Sequence, residues 1–209
     1  MPIIEQILMV GPIVLLSLTV HEFAHARMAL AFGDDTALKM GRVTLNPLAH
    51  LDPIGTLCLL FAHFGWAKPV PINPANLHPR RLGDIMVSLA GPLSNVVLAL
   101  LFLAGIRVML AVPVESQIYE RGLVMMSIGV SINAVLFTFN LIPLYPLDGH
   151  HILREYLPAS SRVGFMEWQR RFGPILLLAL IMVPRFVDVP IDPIGFLYEQ
   201  VLGVMLRLL

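Results

Sequence analysis

The run His21-Glu22-Phe23-Ala24-His25 carries two imidazoles at i and i+4 with a carboxylate beside the first. On a helix that spacing puts both rings on one face, a turn apart, where one metal ion can bind both and Glu22 stands next to the water on that ion. It is the spacing of a metallohydrolase, and the expected chance count in a chain of this composition is about one in 130. The flanking residues are apolar, and an ionisable side chain in such a stretch costs at least ~2.5 kcal/mol, so three together need a use. A cation supplies one, because it accepts both imidazoles and makes the neighbouring carboxylate's charge favourable. The bland alternative is a satisfied polar cluster between helices.

A catalytic zinc of this kind takes a third protein ligand and keeps one position open for water. The candidates are His50, Asp52, Asp148, His150 and His151. Asp148 is favoured because it directly follows an apolar span, and the breaks at Pro143, Pro146 and Gly149 can turn its carboxylate back into a bundle. His150 and His151 are expected at the water interface, at the start of a helix with a polar face. Asp52, before Pro53, reads as a turn or cap residue. Asn140, eight residues before Asp148, is the preferred extra donor to an oxyanion, with Asn95 second; helix glue is the alternative for both and for Asn133.

The elements that must position these groups are helices in lipid. The chain has 209 residues, 57% hydrophobic and only 13% charged, with a mean hydropathy of +0.79, outside the range of soluble domains. A net charge of zero, without aromatics interleaved among basic runs, gives no reason to expect nucleic acid. Cys58 is a single cysteine and forms no internal disulfide. Three segments, 3–32, 81–110 and 121–142, exceed the roughly 20 helical residues needed to cross a bilayer core. The first is not read as a cleaved signal peptide, because it has no basic leader and carries ionisable residues.

Between the first two spans, residues 42–46 alternate with the two-residue period of a strand, predicting a short β-hairpin or strand whose edge would pair with an unwound substrate. Residues 54–64 are apolar but too short to span, and suit a re-entrant helix. Residues 65–79 hold four prolines and read as an ordered loop. Further on, 150–157 predicts a short helix, 172–183 with its flanks a fourth span, and 194–209 an amphipathic or inserted helix, giving four to six spans. The expected architecture is thus an all-α polytopic membrane protein, with a three-helix catalytic core and additional helices, in a single membrane-embedded domain over 1–209.

Five motifs in order carry a family resemblance: His21-Glu-Phe-Ala-His25, Gly41-Arg-Val-Thr-Leu-Asn-Pro47, Gly65-Trp-Ala-Lys-Pro-Val-Pro71, Ala90-Gly-Pro-Leu-Ser-Asn95 and Asn140-Leu-Ile-Pro-Leu-Tyr-Pro-Leu-Asp148-Gly149. Together they resemble the site-2 protease family of intramembrane zinc metalloproteases, over residues 15–153. The resemblance implies one zinc ion held by His21, His25 and Asp148, Glu22 as the catalytic carboxylate, and a core of the helices containing Leu16, Asn95 and Asn140. No PDZ-like insertion or nucleotide-sensing tail is seen, which resembles the minimal bacterial or archaeal type. The implied activity is endopeptidase cleavage within or near transmembrane segments, with transmembrane proteins or peptides and membrane lipid as partners, in a prokaryotic plasma membrane. A membrane metal-ion transporter is the alternative, but it needs polar groups on both sides of the site, and residues 7–16 are almost wholly apolar. A substrate-binding pseudoprotease is disfavoured by the full set of His21, Glu22, His25 and Asp148.

Overall fold

The computed structural model describes residues 3–62, 65–186 and 193–207. In chain order the helices are α1 (Ile3–Ala31), α2 (Thr36–Lys39), α3 (Pro53–Ala62), α4 (Arg80–Ala111), α5 (Gln117–Asn140), α6 (Asp148–Tyr156), α7 (Ala159–Phe186) and α8 (Pro193–Arg207), with a 3-10 turn at Pro47–Ala49. Three are long and apolar enough to cross a membrane: Leu8–Ala31 of α1, then α4 and α5. The expected fourth span, 172–183, lies within α7, whose first half carries Arg162, Glu167, Arg170 and Arg171. The last residues of the segments read as 54–64 and 194–209 lie outside the described residues.

The packing of α1 on α4 follows from side-chain size. Every fourth residue of α1 from Met9 to Ala29 is buried, namely Met9, Ile13, Ser17, His21, His25 and Ala29, so one ridge carries both histidines. Helix α4 buries Gly83, Ser88, Ala90, Gly91, Asn95 and Ala99 among others, small or polar groups that let helices approach where lipid gives no hydrophobic drive for association. Helix α4 lies centrally and packs on α1, α5 and α6. The outer faces leave Leu16, Val97, Leu101 and Val108 exposed, as contact with lipid requires.

The expected β-hairpin over residues 42–46 does not form, and the described residues contain no strand. The alternating residues have other uses. Arg42 is buried and donates to the carbonyls of Lys68 and Pro69 at 2.5 and 3.2 Å. The Thr44 hydroxyl accepts from the Asn46 amide, and the Asn46 side chain caps the 3-10 turn. Strand-like pairing among the described residues is confined to one antiparallel bridge between Leu51 and Ala67.

The loop 65–79 is tied to the end of α1 through Asp34. Its buried carboxylate accepts from the Thr36 amide and hydroxyl, the Asn73 amide and the Asn76 side chain. Burial opposes ionisation, but these hydrogen bonds outweigh it and hold the Asp34 carboxyl below the usual carboxylate range. The proline-rich segment is therefore fixed along α1, beside Glu22.

Candidate metal centre

His21 and His25 bring their Nε2 atoms to 3.0 Å of each other. Asp148 Oδ2 lies 3.3 Å from each, is buried, and accepts no hydrogen bond. The other ring nitrogens are committed: His25 Nδ1 lies 2.7 Å from the Val87 carbonyl and His21 Nδ1 lies 2.6 Å from Asn95 Oδ1. A backbone carbonyl only accepts, so His25 Nδ1 carries a proton, and Nε2 is the nitrogen that can offer a lone pair to a metal. With His21 held the same way, both Nε2 atoms and a carboxylate oxygen converge on one point. A metal cation satisfies all three at once.

The geometry fits zinc. Tetrahedral bonds of about 2.0–2.1 Å put neighbouring ligand atoms about 3.3 Å apart, close to the three separations here. Gly91 of α4 provides the room: a Cβ there would fall on His25 Nε2 and lie 2.6 Å from His21 Nε2. Outer hydrogen bonds that fix ring orientation, as Asn95 and Val87 supply, are the usual companions of metal-binding histidines.

Asp148 reaches the cluster because the chain doubles back after α5. Gln169 of α7 clamps the 141–147 turn, accepting from the Tyr145 amide and donating to the Pro143 carbonyl, both at 2.8 Å. A Cβ at Gly149 would collide with the Leu141 and Ile142 carbonyls, so glycine is needed for so tight a return. Asp148 then opens α6, where the positive end of the helix dipole favours a carboxylate. Arg154, further along α6, pairs with Asp84 of α4.

These groups open onto a cavity of about 480 Å³, also lined by Glu22, Asn140, His151 and the segment around Val70. The Val70 amide donates to Glu22 Oε2 at 3.0 Å and orients that carboxylate. The Asn140 side chain donates one N–H to the Leu136 carbonyl. His150 and His151 are not at a water interface: His150 is buried with Nδ1 against the Leu147 carbonyl, and His151 faces the cavity. Burial, with His150 and Arg154 nearby, pushes the His151 imidazole down to about 3, so it is neutral. His50 bonds the Thr44 carbonyl and Arg42, away from the cluster, and Asp52 accepts from the Gly55 amide at the start of α3. The sequence reading missed Asn95 as the partner of His21; a buried amide in a span one turn from Gly91 is the signal that could have found it. Val87 and Val70 act through backbone atoms and leave no such signal.

The model of peptidase family M50 matches residues 109–183, which include Asp148. Over 172 residues the chain is 44% identical to a Bacillus subtilis protein named "Putative zinc metalloprotease YwhC", covering 81% of this chain and 78% of that one. It is 32% identical over 180 residues to "Putative zinc metalloprotease Rip2" of Mycobacterium tuberculosis, covering 81% of this chain and 65% of that one. No solved structure matches it. With a cation-fitting cluster built on a His-Glu-x-x-His helix, and with relatives of this similarity and coverage, the chain belongs to peptidase family M50, as a metalloprotease.

Proposed function

We propose that this protein is a zinc-dependent endopeptidase that hydrolyses peptide bonds within or next to transmembrane segments of membrane proteins, in a prokaryotic plasma membrane. The observation that carries the reading is the position of the cluster. His21 and His25 lie inside one of the three helices able to cross a membrane, and their cavity is walled by apolar residues such as Leu18, Val87, Leu136, Phe139 and Leu177. Such walls suit the side chains of an apolar segment.

His21, His25 and Asp148 would hold one zinc ion. Bound there, zinc supplies Lewis-acid polarisation of the scissile carbonyl and makes a water acidic enough to attack at neutral pH. Glu22 takes the proton of the attacking water and passes it to the leaving amine, serving as base and then acid. The Val70 amide keeps the Glu22 carboxylate aimed into the cavity. Asn140 gives one N–H to Leu136, and its second is the donor available to the oxyanion. A substrate helix has its own amides bonded internally, so a stretch must unwind before a carbonyl can enter.

Purified protein carrying Glu22→Gln should retain its zinc and lose cleavage of a single-span test substrate by about 10²–10⁴-fold, the range for a general acid–base. Asp148→Ala should lose both. Zinc retention by Asp148→Ala, or full cleavage by Glu22→Gln, would overturn the assignment.

A further inference from the structure

We infer that the tautomer of His21 is dictated from α5: Asn133, anchored on the Gly129 carbonyl, is a positioning residue that fixes which end of the Asn95 amide meets the imidazole. The inference rests on the metal-site reading above. It starts from an atom with only one possible role. The Gly129 carbonyl can only accept, so the Asn133 group 2.9 Å from it is the NH2. That NH2 also donates to Ser17 Oγ at 2.9 Å. Asn133 Oδ1 is then an acceptor, 2.8 Å from Asn95, and Asn95 must turn its NH2 toward α5. A second pure acceptor agrees, since the Ser17 carbonyl lies 3.5 Å from Asn95 Nδ2. What is left to face His21 is Asn95 Oδ1, at 2.6 Å from Nδ1. A proton therefore sits on Nδ1, so in the neutral ring it is Nε2, facing His25 and Asp148, that holds the lone pair.

The whole chain of amides is sealed: Ser17, Asn95 and Asn133 are each 0% exposed. Reversing either amide would set NH2 against NH2 or oxygen against oxygen where no water can relieve it. The two imidazoles thus differ in kind. His25 is fixed by a carbonyl that cannot rotate, whereas His21 depends on two side-chain amides that can. Simple helix glue would need hydrogen bonds between α1, α4 and α5 but no particular direction; here the direction is set, and it ends on a metal-facing nitrogen.

The test uses the full-length protein and reads zinc affinity, not cleavage alone. Asn133→Leu frees Asn95 to present either end, and zinc should bind about 10–100-fold more weakly, the usual loss when a metal ligand's outer partner is removed. Asn95→Asp in that background should restore most of the affinity, because a carboxylate accepts at both ends and needs no orienting. Asn95→Leu and Asn95→Leu/Asn133→Leu should bind zinc equally, since Asn133 acts only through Asn95. Unchanged affinity in folded Asn133→Leu, or no rescue by Asn95→Asp, would refute the relay. Nitrogen-15 NMR of histidine-labelled, metal-free wild type in alkaline buffer decides the point independently of any variant's folding: Nδ1–H on His21 supports it and Nε2–H overturns it. Should the wild type bind no zinc, the metalloprotease reading falls, while the NMR result still judges the relay.

Discussion

Gly91 is where the metal centre leaves the protein least choice. Any side chain there occupies the space in front of the two imidazoles, so Gly91→Ala must displace either α4 or both rings. Alanine is the better helix former by about 1 kcal/mol, so the helix itself is not weakened. Zinc affinity should fall at least about tenfold with far-UV circular dichroism unchanged, and wild-type zinc binding by this variant would show that the room is not needed. The convergence of His21 and His25 was legible in five residues, because helical periodicity alone brings i and i+4 together. Asp148 was legible more indirectly, from prolines and a glycine that forced the chain to turn. The places of His150 and His151 are not legible in this way, because polarity alone does not fix exposure. In fact the first turn of α6 carries Asp148 inward and takes both rings with it, one buried behind the site and one facing its cavity.

At the scale of elements, the Glu22 carboxylate on α1, the proposed general base, depends on a loop that has no regular structure. Glu22 is oriented by the Val70 amide, and that segment is held by Asp34 and Arg42. Asp34→Asn exchanges an all-accepting carboxylate for an amide whose NH2 must face existing donors. Leaving buried donors unmatched should cost about 1–3 kcal/mol at neutral pH. Because the folded carboxyl lies below its ordinary range, its stabilisation is complete above the unfolded value of about 3.9 and is lost as pH falls through the folded value. The stability gap between wild type and Asp34→Asn in detergent should therefore narrow in acid, and a gap constant with pH would refute the role given to Asp34. The long apolar helices were legible because 20 or more apolar residues have one solution in lipid. The strand expected over residues 42–46 was not, because alternation is only half of a strand. The other half is a partner along its length, and here Arg42, Thr44 and Asn46 spend their polar groups on nearby loops and turns instead.

At the scale of the molecule, two candidate ligands come from α1 near the start of the chain and the third from α6, far along it. A bound ion would therefore fasten together helices that the sequence keeps apart. It would not be their only tie. Arg154 of α6 pairs with Asp84 of α4, and Arg154 and Arg162 both pair with Glu155, while Gln169 holds the turn before α6. A fold with these contacts differs from a small zinc module, which has no structure without its metal. Chelation should lower the melting temperature without abolishing helical structure. Zinc returned at a free concentration of 100 times its Kd should restore about 2.7 kcal/mol by mass action. Asp148→Ala and His25→Ala should melt at temperatures indifferent to both chelator and zinc. Complete loss of helicity on chelation would show that the metal, and not the α4–α6 ion pair, docks α6. A melting temperature unmoved by zinc in the wild type would remove the ion from its place between α1 and α6.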